Sequence, residues 1–203
     1  MRFDQENYSI YLFCGLLPWI WLSSGLIEAT ASISSSGSLI TKSLFPPQVL
    51  AVAAILTNFI HYLLSLILLF IFLFAYQIPV SWTWLLLPFI CLLQVFLMYG
   101  FALITASFNV FYRDIQHLLG SLFGLLFFLC PILYKIDIVP EEFQWTMKIN
   151  PVAQLIECYQ KVLLDGILPS SYNILSVTIF SLLAFYIGSK VYCSKRESFA
   201  EYL

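Results

Sequence analysis

The sequence predicts an all-α fold, a polytopic bundle of transmembrane helices with about five spans, and three observations predict it. Of the 203 residues, 61% are hydrophobic and 10% are charged, whereas soluble domains carry about 25% charged residues and, at this size, still expose too much surface to hide such a surplus. The apolar residues fall in long runs, not in the ten-residue alternating segments that mark a membrane barrel. Aromatic residues reach 18%, in keeping with the preference of Trp and Tyr for the headgroup region.

A helix needs about 20 mostly apolar residues to cross a bilayer, and helices are the expected state because lipid offers no partner to an unpaired backbone amide. Residues 10–33 form the first candidate span, apolar early and Ser/Thr-rich late. Residues 50–76 form the second and most uniformly apolar, residues 82–108 the third, residues 118–134 a short fourth, and residues 172–192 the fifth. The connections differ in character. Residues 34–49 are polar, with Gly37, Lys42 and the Pro46-Pro47 stop; residues 77–81 make a tight link; residues 109–117 carry Arg113 and Asp114. Residues 135–171 make a long loop holding the densest group of acidic residues, five of the eleven.

That loop predicts helices of its own. Pro140 before Glu141 and Glu142 is a good helix start, since proline fits a first turn and acids suit its positive end. Asn150-Pro151 starts another, with Asn as N-cap. Val152, Leu155, Ile156, Tyr159 and Val162 or Leu163 then share one face, with Glu157 and Lys161 paired opposite, until Gly166 stops the helix. The pair lies at the membrane surface or dips into it. Five spans place the termini on opposite sides. The cluster Lys190, Lys195 and Arg196 then puts the C-terminus, Lys42 and Arg113 in the cytoplasm, and Arg2, Lys135, Lys148 and Lys161 outside.

The same residues exclude several function classes. A net charge of −2 provides no basic field for nucleic acid. The five cysteines (Cys14, Cys91, Cys130, Cys158, Cys193) are widely spaced and mostly in apolar stretches, which suggests neither a disulfide framework nor a metal site. His61 and His117 have no second ligand at helical spacing, so no metal is expected. Residues 1–9 mix Arg2 with Asp4 and Glu6 ahead of an overlong apolar run, unlike a signal peptide. No hydrolase elbow, zinc-protease motif or Walker loop occurs, so no catalytic residue is expected. If transport uses ATP, another polypeptide binds it.

Several side chains in the spans invite a functional reading beside a structural one. Ser23, Ser24, Glu28, Thr30, Ser32 and Ser34 to Ser36 either line a wet pathway or bond helices together. Glu28 favours the pathway, because an acid at depth costs roughly 2.5–3.5 kcal/mol and faces a cavity or a partner. Arg113-Asp114 reads as an interfacial anchor pair, which is compatible with a coupling role. The aromatics Tyr8, Tyr11, Phe13, Trp19, Trp21, Phe127, Phe128 and Tyr134 form either a lipid-facing belt or a stacking surface for sugar rings inside a channel.

The order of motifs resembles a known family. Leu17-Pro18-Trp19 opens a span; Ser38-Leu-Ile-Thr-Lys-Ser-Leu-Phe-Pro46 follows a Ser/Thr-rich stretch; Phe108-Asn-Val-Phe-Tyr-Arg-Asp-Ile115 comes after a long apolar segment. Then come Cys130-Pro-Ile-Leu-Tyr134, Val139-Pro140-Glu141, Asn150-Pro151 and the charged tail from Lys195 to Ala200. The chain is similar, over nearly its whole length, to the permease subunit of ABC exporters for polysaccharides of the O-antigen, capsule and teichoic-acid type. The resemblance implies a single permease domain over residues 1–203, in a bacterial inner membrane with a cytoplasmic C-terminus. It implies two permease copies, two separate ATPase subunits that bind ATP and Mg, and a lipid-linked glycan as cargo. The chain itself would bind no cofactor.

The family pattern has six spans after an amphipathic cytoplasmic helix. This chain starts where the second span would start, so the interface helix and first span are expected to be missing from it. Pro47-Gln48 also departs from the basic and acidic pair expected after the proline. By position, the resemblance makes residues 34–49 the cytoplasmic coupling loop, with Ser38, Leu39, Ile40, Lys42, Phe45 and Pro46 as contacts to the ATPase. Arg113 and Asp114 would form a second contact, and residues 135–171 the extracytoplasmic gate helices. The first and fourth spans would line the channel, with Trp19, Trp21, Ser24, Glu28, Phe127, Phe128 and Tyr134 facing the cargo. The alternatives are a permease for another cargo (drug, lipid or heme), a membrane enzyme acting on lipid-linked sugars through Asp137, Glu141 and Glu142, and an assembly factor.

Overall fold

The structure is a computed structural model that describes residues 5–37 and 46–202. Helices are the only regular elements among those residues. Helix α1 (Gln5–Ser35) and helix α2 (Gln48–Ala75) realise the first two predicted spans. Ser81 caps a 3-10 turn, Trp82–Leu86, that runs straight into α3 (Leu87–Phe111). Helix α4 (Ile115–Phe128) follows after a short link, and α7 (Ser171–Lys195) realises the last predicted span. Among the described residues four helical stretches, Tyr8–Ser35, Gln48–Ala75, Trp82–Phe111 and Ser171–Ser198, are long and apolar enough to cross a membrane.

The fourth predicted stretch behaves differently. Helix α4 has 14 residues, a rise of about 21 Å against a hydrocarbon core of about 30 Å, and it ends six residues before the predicted limit. Pro131 explains the stop, because proline lacks the amide proton and biases the preceding residue away from the helix. Cys130, Pro131 and Ile132 are nevertheless buried, so their freed carbonyls need donors. Helix α1 and the following helices supply them. Tyr11 Oη lies 3.0 Å from the Pro131 carbonyl and 2.9 Å from that of Tyr134, Tyr8 Oη donates to Leu133 at 3.1 Å, and Gln160 Nε2 donates to Pro131 at 2.8 Å.

The long loop forms the two predicted helices, α5 (Glu141–Ile149) and α6 (Pro151–Gln160). The Asn150 side chain caps α6, accepting from the amides of Val152 at 3.0 Å and Ala153 at 3.4 Å. Helix α6 continues as a wider π-type turn, Lys161–Asp165, which Gly166 ends in the left-handed region at φ 64°. Ala153 to Ile156 and Cys158 to Gln160 are buried against the other helices of the bundle. The Glu157–Lys161 pair forms on the outer side at 2.6 Å.

Helices α3 and α7 approach most closely where Gly100 meets Gly188. A Cβ built on Gly188 would collide with the Gly100 carbonyl, and one on Gly100 with the Ala184 carbonyl. Small residues at such crossings let helix backbones touch in lipid, where no hydrophobic drive holds helices together. Beside them, Ser181 Oγ donates to the Leu93 carbonyl at 3.0 Å.

Candidate functional site

Helix α1 presents one open face. Ile20, Ser24, Glu28 and Ser35 are exposed, and the steps of four and seven residues keep them on one side of the helix. The flanks of that face are closed by aromatic contacts. On one flank Trp21, 1% exposed, stacks on Tyr62 of α2 at 4.9 Å and tilts against Phe59 at 4.8 Å. On the other flank Trp19 packs on Phe123 and Phe127 of α4 at 5.9 and 5.8 Å. The open face therefore runs as a strip between α2 and α4. Its N-terminal part, at Ile20, is apolar and its C-terminal part, from Ser24 to Ser35, is polar.

Glu28 is the chemically distinctive member of the strip. Asn58 Nδ2, on α2, donates to Glu28 Oε2 at 2.5 Å and also to the Ala54 carbonyl at 2.9 Å. The amide holds the carboxylate at the edge of the strip, and His61 lies exposed nearly one turn further along α2. Ser24 is exposed one turn before Glu28. The other hydroxyls of the Ser/Thr-rich stretch do different work. Thr30 Oγ1 is 2.7 Å from Thr105 Oγ1 of α3, and Ser34 Oγ accepts from Asn109 Nδ2 at 2.9 Å. Ser23 and Ser32 donate to carbonyls of their own helix at 2.9 and 2.7 Å. Bonding between helices thus describes Thr30 and Ser34, whereas Ser24 and Glu28 are exposed.

The predicted aromatics separate as well. Trp19, Phe127, Phe128 and Tyr134 form one group, with Phe127 and Phe128 edge to face at 5.6 Å and Tyr134 Oη donating to the Phe128 carbonyl at 2.6 Å. Burial pushes the Tyr134 hydroxyl up from its ordinary value, which keeps it a donor. Phe128 is 64% exposed and has a free ring face. Trp19 and Trp21 are covered by other rings, and Trp21 does not join the group.

Of the predicted coupling residues, Ser38, Leu39, Ile40, Lys42 and Phe45 lie outside the described residues. Pro46, Arg113 and Asp114 are exposed, and the structure brings their segments to the same end of the bundle. Asn109 reaches Ser34 at the end of α1, and its Oδ1 accepts from the Gln116 amide of α4 at 3.2 Å. The amide of Gln48, which opens α2, donates to Tyr192 Oη of α7 at 3.1 Å.

Glu141 and Glu142, two of the three acids of the enzyme alternative, occupy the first turn of α5 and are exposed. Among the described residues no group of three or more His, Cys, Asp or Glu side chains could hold a metal ion.

The sequence reading missed a buried polar chain through the middle of the bundle. Tyr159 Oη of α6 donates to Gln94 Oε1 of α3 at 2.9 Å, and Gln94 Nε2 donates to the Pro18 carbonyl of α1 at 2.9 Å. Gln94 and Asn58, two amides within apolar spans, were the available signal, since a polar group in lipid needs a partner.

A family model described as "ABC-2 type transporter" matches residues 3–164. The chain is 32% identical over 203 residues to the "O-antigen export system permease protein RfbA" of Myxococcus xanthus, covering 99% of this chain and 78% of that protein. It is 31% identical to the protein of the same name from Klebsiella pneumoniae, over 100% of this chain and 78% of that one. The "Polysialic acid transport protein KpsM" of Escherichia coli is 20% identical over 95% of this chain and 75% of its own length.

Proposed function

The chain belongs to the ABC-2 type transporter family, and on that premise we propose that it is the permease subunit of an ATP-driven exporter that carries O-antigen or capsule-type polysaccharide across the bacterial inner membrane. The observation that carries the proposal is the match to two O-antigen export permeases along essentially the whole chain. Four apolar helices suited to crossing a membrane agree with it. In this reading ATP and Mg are bound by a separate ATPase subunit that presses on residues 34–49 and on the Arg113-Asp114 link. The C-terminus lies in the cytoplasm, residues 135–171 lie outside, and a second copy of the permease completes the channel.

The open strip of α1 suits such a cargo. Ser24 and Glu28 offer hydrogen-bonding groups to hydroxyls, and Phe128 offers a ring face to the apolar side of a sugar. The lipid-linked end of the glycan would meet the apolar upper strip around Ile20. Two measurements test the reading in cells that make the cognate polymer. Deleting the chain should leave the polymer inside, and the purified chain should retain an ATP-hydrolysing subunit. Polymer reaching the surface at the normal level without the chain would overturn the proposal.

A further inference from the structure

Helix α1 carries a proline in its interior, Pro18. Proline has no amide to give the Cys14 carbonyl, and its ring crowds the preceding turn, so the helix loses a bond there. Gly15, a poor helix former, lies nearly one turn before it. Ser23 bonds back to the Trp19 carbonyl at 2.9 Å, an arrangement that bends helices. The two halves of α1 are tied to different parts of the molecule. Before Pro18, Tyr8 and Tyr11 bond to the carbonyls of Leu133, Pro131 and Tyr134. Gly15 lies so close to α6 that a Cβ on it would come within 2.9 Å of Gln160 Nε2 and 3.4 Å of Ile156 Cγ2. Toward α2 this half makes a ring contact, Phe13 edge-on to Phe72 at 5.8 Å. After Pro18, Trp21, Glu28, Thr30 and Ser34 bond to Ile55, Asn58, Thr105 and Asn109 of α2 and α3. The joint itself is held. Gln94 of α3 donates to the Pro18 carbonyl and accepts from Tyr159 of α6, each at 2.9 Å, and both residues are fully buried.

We propose that Pro18 is a hinge in α1 and that the Tyr159–Gln94 pair is the lock that holds it. The first half of α1, the turn at residues 130–134 and α6 form one unit. It swings against a frame made of α2, α3 and the second half of α1. The inference rests on the permease reading for its purpose. While the lock is made, α1 is a rigid brace between the Asn109 end of the bundle and the turn at residues 130–134. Arg113 and Asp114 lie just past the end of α3, so a push on them shifts α3 along its axis and carries Gln94 away from the Pro18 carbonyl. The unit is then free to swing, and the end of the pathway beside residues 130–134 widens. It stays attached through the last part of α6, where Thr83 Oγ1 donates to the Val162 carbonyl at 2.9 Å. That carbonyl belongs to the π-type turn, a wide turn of the kind found often at functional sites, and here it serves as the pivot.

The test is amide hydrogen exchange, read by mass spectrometry on the full chain in lipid nanodiscs. Tyr159→Phe removes the lock hydroxyl and keeps the ring. It should speed exchange over residues 8–17 and 132–134 together, about fivefold, the effect of one neutral hydrogen bond, and leave residues 21–33 as in the wild type. Pro18→Ala restores the missing amide and replaces the least favourable helix residue, so it should melt at or above the wild type. Added to Tyr159→Phe, it should return residues 8–17 to the wild-type rate. The hinge is overturned if Tyr159→Phe speeds both halves of α1 alike, as a merely structural bond would, or speeds neither. It is also overturned if residues 8–17 stay fast when Pro18→Ala is added. Export is scored separately by surface polymer in cells, where Pro18→Ala alone should lower it several-fold. Normal export by Pro18→Ala overturns the hinge as a part of transport. Polymer at the surface in cells that lack the chain sinks the transport reading and leaves the exchange result standing.

Discussion

The contact between α3 and α7 makes a sharp prediction, because the structure supplies both the perturbation and its control. Gly188→Ala adds a methyl group that would overlap the Gly100 carbonyl, a backbone atom that cannot rotate aside. The two helices must then separate, and Ser181 begins to lose its hydrogen bond to Leu93. Overpacking of this kind costs about 1–3 kcal/mol. Gly124→Ala adds the same methyl group to a helix where nothing lies within 4 Å. Both substitutions gain the same helix propensity, about 1 kcal/mol, so their difference isolates the steric cost. For a chain of this size 1 kcal/mol corresponds to about 2–4 °C, so Gly188→Ala should melt roughly 2–12 °C below Gly124→Ala. Tryptophan fluorescence of the detergent-solubilised protein during heating reads this directly. Gly25→Ala belongs between them, since its methyl would meet Met98 Cε at 2.6 Å, the end of a flexible side chain that can move. Equal melting of Gly188→Ala and Gly124→Ala would refute the helix crossing.

Three further outcomes follow from other parts of the molecule. Glu28→Gln keeps an acceptor for Asn58 and should preserve export, whereas Glu28→Leu removes the charged one of the two acceptors of the Asn58 amide and should reduce surface polymer several-fold, in line with about 1.5–3 kcal/mol for a hydrogen bond to a charged group; normal export by Glu28→Leu would remove Glu28 from the pathway. Asn150→Ala deletes the cap of α6 and should cost about 1 kcal/mol, seen as faster amide exchange over residues 151–156; unchanged exchange would contradict the cap. In spheroplasts, a membrane-impermeant maleimide added outside should leave the protein unlabelled and modify Cys193, the exposed thiol, only after permeabilisation; burial pushes Cys130 and Cys158 up to about 12, so neither supplies thiolate near neutral pH. Labelling of Cys193 from outside would invert the orientation.

Most of the fold was legible because a bilayer demands long apolar helices and the sequence writes them without interruption. The ends of α2, α3 and α7 fall within a few residues of the predicted limits, and the start of α6 at Asn150-Pro151 was readable from capping chemistry alone. The end of α4 was not, although Pro131 stood in plain view. Composition continues apolar through Tyr134, and only the tertiary partners of the freed carbonyls, Tyr8, Tyr11 and Gln160, make a buried non-helical segment affordable there. Burial was equally hidden. The apolar face of α6 looks the same whether it meets lipid or other helices, and its burial rests on Gln94 and Tyr159 finding each other across 65 positions of sequence.

The site was legible as residue types and not as directions. A serine or threonine within an apolar run reads the same whether it bonds a neighbouring helix or lines a pathway, so residue type alone left Ser24, Thr30 and Ser34 equivalent, and only the family resemblance singled out Ser24 for the channel. The structure separates them by one test, whether the hydroxyl reaches another helix. Thr30 and Ser34 do, through Thr105 and Asn109, and so do the buried amides of Asn58 and Gln94. Ser24 is instead exposed, and Glu28 is exposed although it accepts from Asn58, both on a helix long and apolar enough to cross a membrane. Lipid does not tolerate that arrangement for a carboxylate cheaply, and the single amide of Asn58 leaves the second carboxylate oxygen open. On the pathway reading proposed above, the face of α1 that carries them meets something wet or polar when the protein works, and its support is the cost of a carboxylate in lipid, independent of any relative.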